Sequence, residues 1–319
     1  MCRLKEFCAR VYLIKGVCVY MEFLKKYPVS ISGLILALFA LGILLQDVIP
    51  VLSLACGVIG LLLYVIYLLK LAVLNVKLKE PLDNHVTASM LPAFTMATML
   101  LAGYIKPFNA ALGVYIWYAG LLAHALLIVW FSLKFLKNFN INKVLPSWFV
   151  VYVGIAAASM SADAAGRLDV GQAAFWFAFV SYFILLIAVC YRVFIIKEIP
   201  EAVQPVNVIF AAPASLLLAG YAVSFPEKNA LIMGVLLACS VLLYILGIVY
   251  FLKLCWGNFM PNFSAFTFPL VISAIAVKMS VNYFKEVAWL ADFCNFQTVI
   301  AALAVAFVLI GYFKFLFSD

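Results

Sequence analysis

The sequence predicts an all-α integral membrane protein of ten transmembrane helices, paired as five helical hairpins. Hydrophobic residues fill 68% of the 319 positions and charged residues only 11%, where soluble domains carry roughly 45–50% and about 25%. The apolar runs are about 20 residues long, the length a helix needs to cross the hydrocarbon core. They do not alternate, so of the two architectures that satisfy their own backbone in lipid, helix and closed barrel, the helix is the one expected. The third observation is that the runs recur at a fixed interval.

The chain divides into an N-terminal segment, residues 1–27, and a transmembrane domain, residues 28–319. Residues Met1 to Lys26 carry six basic residues among apolar ones and have no uninterrupted apolar core with a small-residue cleavage site, so no cleaved signal is expected. The segment reads as an amphipathic stretch on the cytoplasmic membrane face, where anionic membrane lipids suit its charge. Breaks at charge and proline then place spans near 28–46, 50–76, 86–105, 110–136, 146–162, 170–195, 206–224, 229–254, 264–281 and 296–317. The odd-numbered spans begin 58–60 residues apart, and each unit is one hairpin. Pro28, Pro81, Pro146, Pro205 and Pro261 precede or open them, as a residue tolerated in a helix's first turn would. Leu101-Ala102-Gly103-Tyr104 recurs as Leu218-Ala219-Gly220-Tyr221 two units later.

Charge orients the hairpins. With both termini cytoplasmic, 16 of the 21 Lys and Arg fall inside, and Lys106, Arg167, Lys228, Lys278 and Lys285 fall outside. That split follows the positive-inside rule for a multi-pass protein of a plasma or bacterial inner membrane and requires an even number of crossings. The formal charge of +8 is therefore mainly a topology signal, with no nucleic-acid partner implied.

The eight cysteines contain no CxxC pair and there are two histidines, so no metal site, disulfide framework or cofactor is expected. His124, within the fourth span, reads as an interhelical hydrogen-bonding residue. His85 reads as solvated at a helix start, and Lys278 as snorkelling to the outer interface.

Odd and even spans differ in character. The odd ones are broken by proline and rich in small or hydroxyl residues, with Pro92 and Thr95 in the third, Gly154 and Ser159 in the fifth, Pro213 and Ser215 in the seventh, and Pro269 and Ser273 in the ninth. Irregular backbone at membrane depth persists only when buried in protein or lining a cavity, so the odd helices are expected inside, in pseudo-fivefold order around a central path. Two readings of their Ser, Thr, Gly and Ala stay open: lining of that path, or close-packing surface between helices. All thirteen acidic residues fall in loops, helix ends or the N-terminal segment, which argues against a proton relay or a cation-selective pore. The remaining lining suits an uncharged solute or a weakly held anion.

Pro146-Ser147-Trp148-Phe149, Ala212-Pro213-Ala214 with Tyr221, and Ser264-Ala265-Phe266-Thr267-Phe268-Pro269, in this order on the fifth, seventh and ninth spans, resemble the TehA-like, slow-type anion channel family, also called the tellurite-resistance/dicarboxylate transporter family. The resemblance covers nearly the whole chain. It implies a homotrimer in which each protomer has its own pore, closed by a phenylalanine of the ninth span that maps to Phe268 or, one register away, Phe266. It also implies small inorganic anions such as chloride or nitrate as the conducted species. A carrier or exporter of dicarboxylate, sulfite or tellurite-like oxyanions is the alternative from the same family. No paired His, HExxH or acidic cluster supports an enzyme.

Overall fold

The computed structural model describes residues 21–73, 82–137 and 139–318. Most of the expected N-terminal amphipathic segment, residues 1–20, lies outside them, as do Lys77, Lys79 and Pro81. Among the described residues every regular element is helical: α1 (Val29–Leu45), α2 (Pro50–Val73), α3 (His85–Ile105), α4 (Ala110–Leu136), α5 (Trp148–Tyr152), α6 (Ala156–Met160), α7 (Ala162–Ala165), α8 (Leu168–Ile196), α9 (Glu201–Ser224), α10 (Ala230–Leu254), α11 (Pro261–Tyr283) and α12 (Trp289–Phe317). Asn84, Asn109 and Asn229 accept hydrogen bonds from free backbone N–H groups at the starts of α3, α4 and α10, which fixes where those helices begin.

Eight of these helices are long and apolar enough to cross a membrane. The first expected span is the shorter helix α1, and the fifth is three short helices, α5 to α7, instead of one. Its interruption falls at Val153, Gly154 and Ile155, where a glycine permits a bend that an apolar count does not register. The last helix begins at Trp289, seven residues before the expected start at 296. Asp292 broke the apolar run in the sequence, yet it sits in the helix's first turn, where the positive end of the helix favours a carboxylate.

Burial separates two sets. The most apolar stretches of α3, α9 and α11 are 78%, 89% and 83% buried, whereas those of α2, α4, α8, α10 and α12 are 28–33% buried. The outer helices are apolar on every side, and their inward faces are rows at spacings of about three and four that mix small residues with aromatic and polar ones. On α2 the buried positions are Cys56, Gly57, Gly60, Tyr64, Tyr67 and Lys70, while Leu62 and Val65 point outward. Small residues bring helix axes close in lipid, where apolar bulk gives no reason to face inward.

Hydrogen bonds link the inner segments in a closed series. Ser32 on α1 donates to Met90 O on α3 (3.2 Å), and Ser89 on α3 donates to Ser147 before α5 (2.6 Å). Ser159 on α6 donates to Gly220 O on α9 (3.0 Å), and the hydroxyls of Ser215 on α9 and Ser273 on α11 meet at 3.0 Å. Thr267 on α11 then donates to Gly33 O on α1 (3.2 Å), which returns to the start. The first four links span 58, 58, 61 and 58 residues, close to the interval of the sequence repeat. Lys278, expected to snorkel, instead donates to Leu44 O and Asp47 (both 3.1 Å) and adds a further tie between α11 and α1. At the opposite end Lys26 donates to Ser318 O and Phe23 packs on Phe317, so the first and last described turns lie side by side.

Candidate functional site: a central cavity among the inner segments

Each inner segment changes its winding partway along. In α3 the helix pauses at Leu91 and resumes at Pro92. In α9 tightly wound turns run through Ala211 and the α-helix proper starts at Ala212, next to Pro213. In α11 similar turns cover Pro261–Phe266 and the α-helix starts at Phe268, next to Pro269. Proline forces these changes because it offers no N–H to the preceding turn and its ring crowds the carbonyl four residues back. The α5–α6 junction breaks at Gly154, and α1 passes from a tight turn into α-helix at Ser32.

These five irregularities border one cavity. Gly33 and Leu36 of α1, Met90, Ala93 and Met96 of α3, Phe149, Val150, Val153 and Gly154 around the α5–α6 break, Ala212, Pro213 and Leu216 of α9, and Ser264, Phe268 and Pro269 of α11 all line it. No residue of α2, α4, α8, α10 or α12 does. Its volume is about 40 Å³, room for a few waters at most. A wider vestibule of about 620 Å³ opens at the other ends of the same segments, bordered by Gly42, Leu100, Met160, Val223 and Met279. Along every inner segment the vestibule residue follows the cavity residue in the chain, so the five segments run in one direction.

Of the residues expected at the site, Gly154, Pro213, Phe268 and Pro269 line the cavity. The others are packed around it. Thr95 Oγ1 donates to Pro92 O (2.8 Å) and meets His124 Nδ1 at 2.7 Å, while His124 Nε2 lies 3.1 Å from Val151 O. His124 is thus the buried interhelical hydrogen-bonding residue its position suggested. Ser159 bonds Gly220 O and Ser224, and Ser215 lies 2.7 Å from both Ala211 O and Ser240 Oγ. Ser273 lies 2.8 Å from Pro269 O and 3.0 Å from Ala211 O. The hydroxyls of Thr95, Ser215 and Ser273 serve carbonyls at the irregular turns and Ser159 one within α9, so the cavity wall itself is almost wholly apolar. Phe266 is fully buried against Phe263 and Phe251, away from the cavity, whereas Phe268 is 6% exposed on its wall.

Two wall residues carried no signal of their own in the sequence. Phe149 is a second aromatic on the wall, and Ser264 is its one hydroxyl. Both stand inside the short strings that carry the family resemblance, but neither residue type in an apolar run distinguishes a wall from a core. Among the described residues no group of three or more His, Cys, Asp or Glu stands close enough to hold a metal ion.

At the expected cytoplasmic ends, cations are held by backbone oxygens. The buried Lys70 donates to Leu24 O (2.9 Å), and the buried Arg192 donates to Asn142 O, Lys197 O and Glu198 O. Lys134 lies over the rings of Trp130 and Phe135 and pairs with Asp83.

A search of curated proteins finds no match to the chain. The family model described as voltage-dependent anion channel matches residues 26–313, a stretch that takes in all five inner segments and every residue of the cavity wall. On that match the chain belongs to the SLAC1 family of voltage-dependent anion channels.

Proposed function

We propose that this protein is an anion channel conducting small monovalent anions of the chloride and nitrate kind through a pore within each protomer, gated by Phe268. The observation that carries the reading is the single cavity walled by all five inner segments and by none of the outer helices. On this reading the ten spans form five hairpins in pseudo-fivefold order, and the vestibule, the cavity and the opposite mouth are successive stations of one path.

Electrostatics favours an anion. No carboxylate lines the cavity. The carbonyls at the irregular turns, the groups that would otherwise coordinate a cation, already accept from Ser32, Thr95, Ser215 and Ser273. An apolar wall makes a fully desolvated ion costly, so passage needs either retained water or a wider opening. Displacement of the Phe268 ring supplies the widening, and anions that shed water easily pass best.

Both termini lie on the cytoplasmic side of a plasma or inner membrane in this reading. The adjacency of Lys26 and Ser318 supports an even number of crossings, and the charge split supports the direction. The homotrimer follows from the family resemblance, and native mass spectrometry of the detergent-solubilised protein checks it by reading three copies against one or two. The gate is tested by bilayer recording of Phe268→Ala beside Phe266→Ala. Phe268→Ala is expected to raise anion conductance about tenfold or more, equivalent to about 1.4 kcal/mol off the barrier, with Phe266→Ala close to the parent. Unchanged conductance in Phe268→Ala sinks the gate assignment.

A further inference from the structure

One side of α3 runs from the central cavity to the vestibule and ends on a cation. Ala93 and Met96 line the cavity, and Leu100, Gly103 and Lys106, the residue that caps the helix, line the vestibule. Successive spacings of three and four carry them along one side of the helix. A Cβ added at Gly103 would meet nothing within 4 Å, so the turn before Lys106 faces open space. Lys106 is exposed, and its Nζ donates to Asp163 O of α7 (2.8 Å). An ammonium has three N–H donors, so two remain for a ligand. Lys278 and Arg167 are paired with the carboxylates of Asp47 and Asp169, whereas among the described residues no carboxylate pairs with Lys106. The hydroxyls on the vestibule wall are engaged, with Ser53, Tyr104 and Ser161 donating to Gly42 O, Phe39 O and Ala157 O. Asp163 puts the one carboxylate on that wall, and an ionised carboxylate offers an anion no donor.

We propose that Lys106 is the anion-capture residue of the vestibule, gathering small hydrated anions at that mouth and raising their concentration ahead of the cavity. The proposal rests on reading the chain as an anion channel. The vestibule, at about 620 Å³, has room for an ion that keeps its water, so capture there avoids the desolvation cost of the apolar cavity. Met96 on the cavity wall stands ten residues before Lys106, about 15 Å along the helix. That exceeds the screening length of about 8 Å at physiological salt. The ammonium therefore acts on an ion in the vestibule and not on one in the cavity. It sets the rate of supply and leaves the choice among anions to the cavity wall. The effect is one-sided, since only ions entering through the vestibule gain from it, and it grows as salt falls.

The test uses the full-length protein in planar bilayers, as the parent and as Phe268→Ala, each with and without Lys106→Gln. Lys106→Arg keeps the charge, Asp163→Asn removes the opposing one, and Lys285→Gln removes a cation that does not line the vestibule. Chloride currents are read in both directions at about 0.01 M and about 1 M salt, where the screening length is about 30 Å and about 3 Å. At the lower salt Lys106→Gln is expected to reduce the current of chloride entering from the vestibule side about threefold, the effect of one charge felt through water. At the higher salt the same variant is expected to match the parent. Lys106→Arg is expected to keep the parent current, Asp163→Asn to raise it and Lys285→Gln to leave it unmoved, with the chloride-to-thiocyanate ratio the same in all. A Lys106→Gln current equal to the parent's at low salt overturns the proposal. So does a loss of the same size at both salts, which would show only a tie between α3 and α7. A loss matched by Lys285→Gln overturns it too, by showing diffuse surface charge instead of a capture residue. Absence of anion current in both the parent and Phe268→Ala overturns the channel reading beneath it, a failure distinct from loss of the capture residue alone.

Discussion

A Cβ added to Gly154 would stand 2.1 Å from Val150 O, 2.8 Å from Met96 Sδ and 3.0 Å from His124 Cε1. The first of these is backbone and cannot swing away, so the junction of α5 and α6 must bend or the contact with α3 must open. Gly154→Ala is expected to destabilise the protein by about 2 kcal/mol, within the range for overpacked sites, and to show it as a lower midpoint in thermal unfolding followed by tryptophan fluorescence. A midpoint equal to the parent's would show that the close approach is not needed. Residues of this kind were only partly legible in the sequence. Gly154 stood out beside Ala156-Ala157-Ala158 as a small-residue run in a polar-poor segment, but whether such a run lines a path or packs helices depends on which way the chain turns. Thr95 shows the other outcome, since its hydroxyl is taken by Pro92 O and His124 and does not face the cavity.

Among the elements, hydroxyls tie the inner segments to one another and also reach the outer helices, through Tyr64 of α2, His124 of α4 and Ser240 of α10. Ser215 on α9 and Ser273 on α11 both reach Ala211 O, and Ser215 also meets Ser240 on α10. Removing either hydroxyl leaves the other to serve the same carbonyl. The double variant Ser215→Ala with Ser273→Ala is therefore expected to cost about 0.5–1 kcal/mol more than the sum of the singles, as residues sharing one network do, measured in a double-mutant cycle of unfolding free energies. Strict additivity would contradict the shared carbonyl. The start of α4 and the spacing of the hairpins were readable from apolar runs and prolines. The stripe of Cys56, Gly57, Gly60 and Tyr64 on α2 was not, because an inward face of small and aromatic residues is no more apolar than the lipid-facing Leu62 and Val65. Hydropathy is blind to the difference between two apolar solvents, lipid and protein, and only packing reveals it. The tight winding at the starts of α9 and α11 was foreshadowed by Pro205 and Pro261, yet the return to α-helix beside Pro213 and Pro269 needed the structure to place it at the cavity.

For the whole molecule, the series of inner segments closes, with Thr267 of α11 donating to Gly33 O of α1 and Lys278 of α11 donating to Leu44 O of α1. Closure brings the irregularities of the five inner segments to one cavity, and the wide vestibule lies beyond it along segments that run the same way. The family to which the chain belongs was legible in the strings around Trp148, Pro213 and Phe268. The identity of the wall was not, because four of the predicted residues line it while the hydroxyls meant for it went to carbonyls. The central claim is that anions pass through this cavity and not around the bundle. Its most direct test is thiol block in a cysteine-free background carrying Phe268→Ala, with Leu216→Cys on the cavity wall compared with Leu126→Cys on the outward face of α4. A charged methanethiosulfonate reagent is predicted to abolish at least about nine-tenths of the anion current through Leu216→Cys, a change equivalent to about 1.4 kcal/mol or more, and to leave Leu126→Cys unaffected. Current through Leu216→Cys that survives modification, or block confined to Leu126→Cys, would contradict the account.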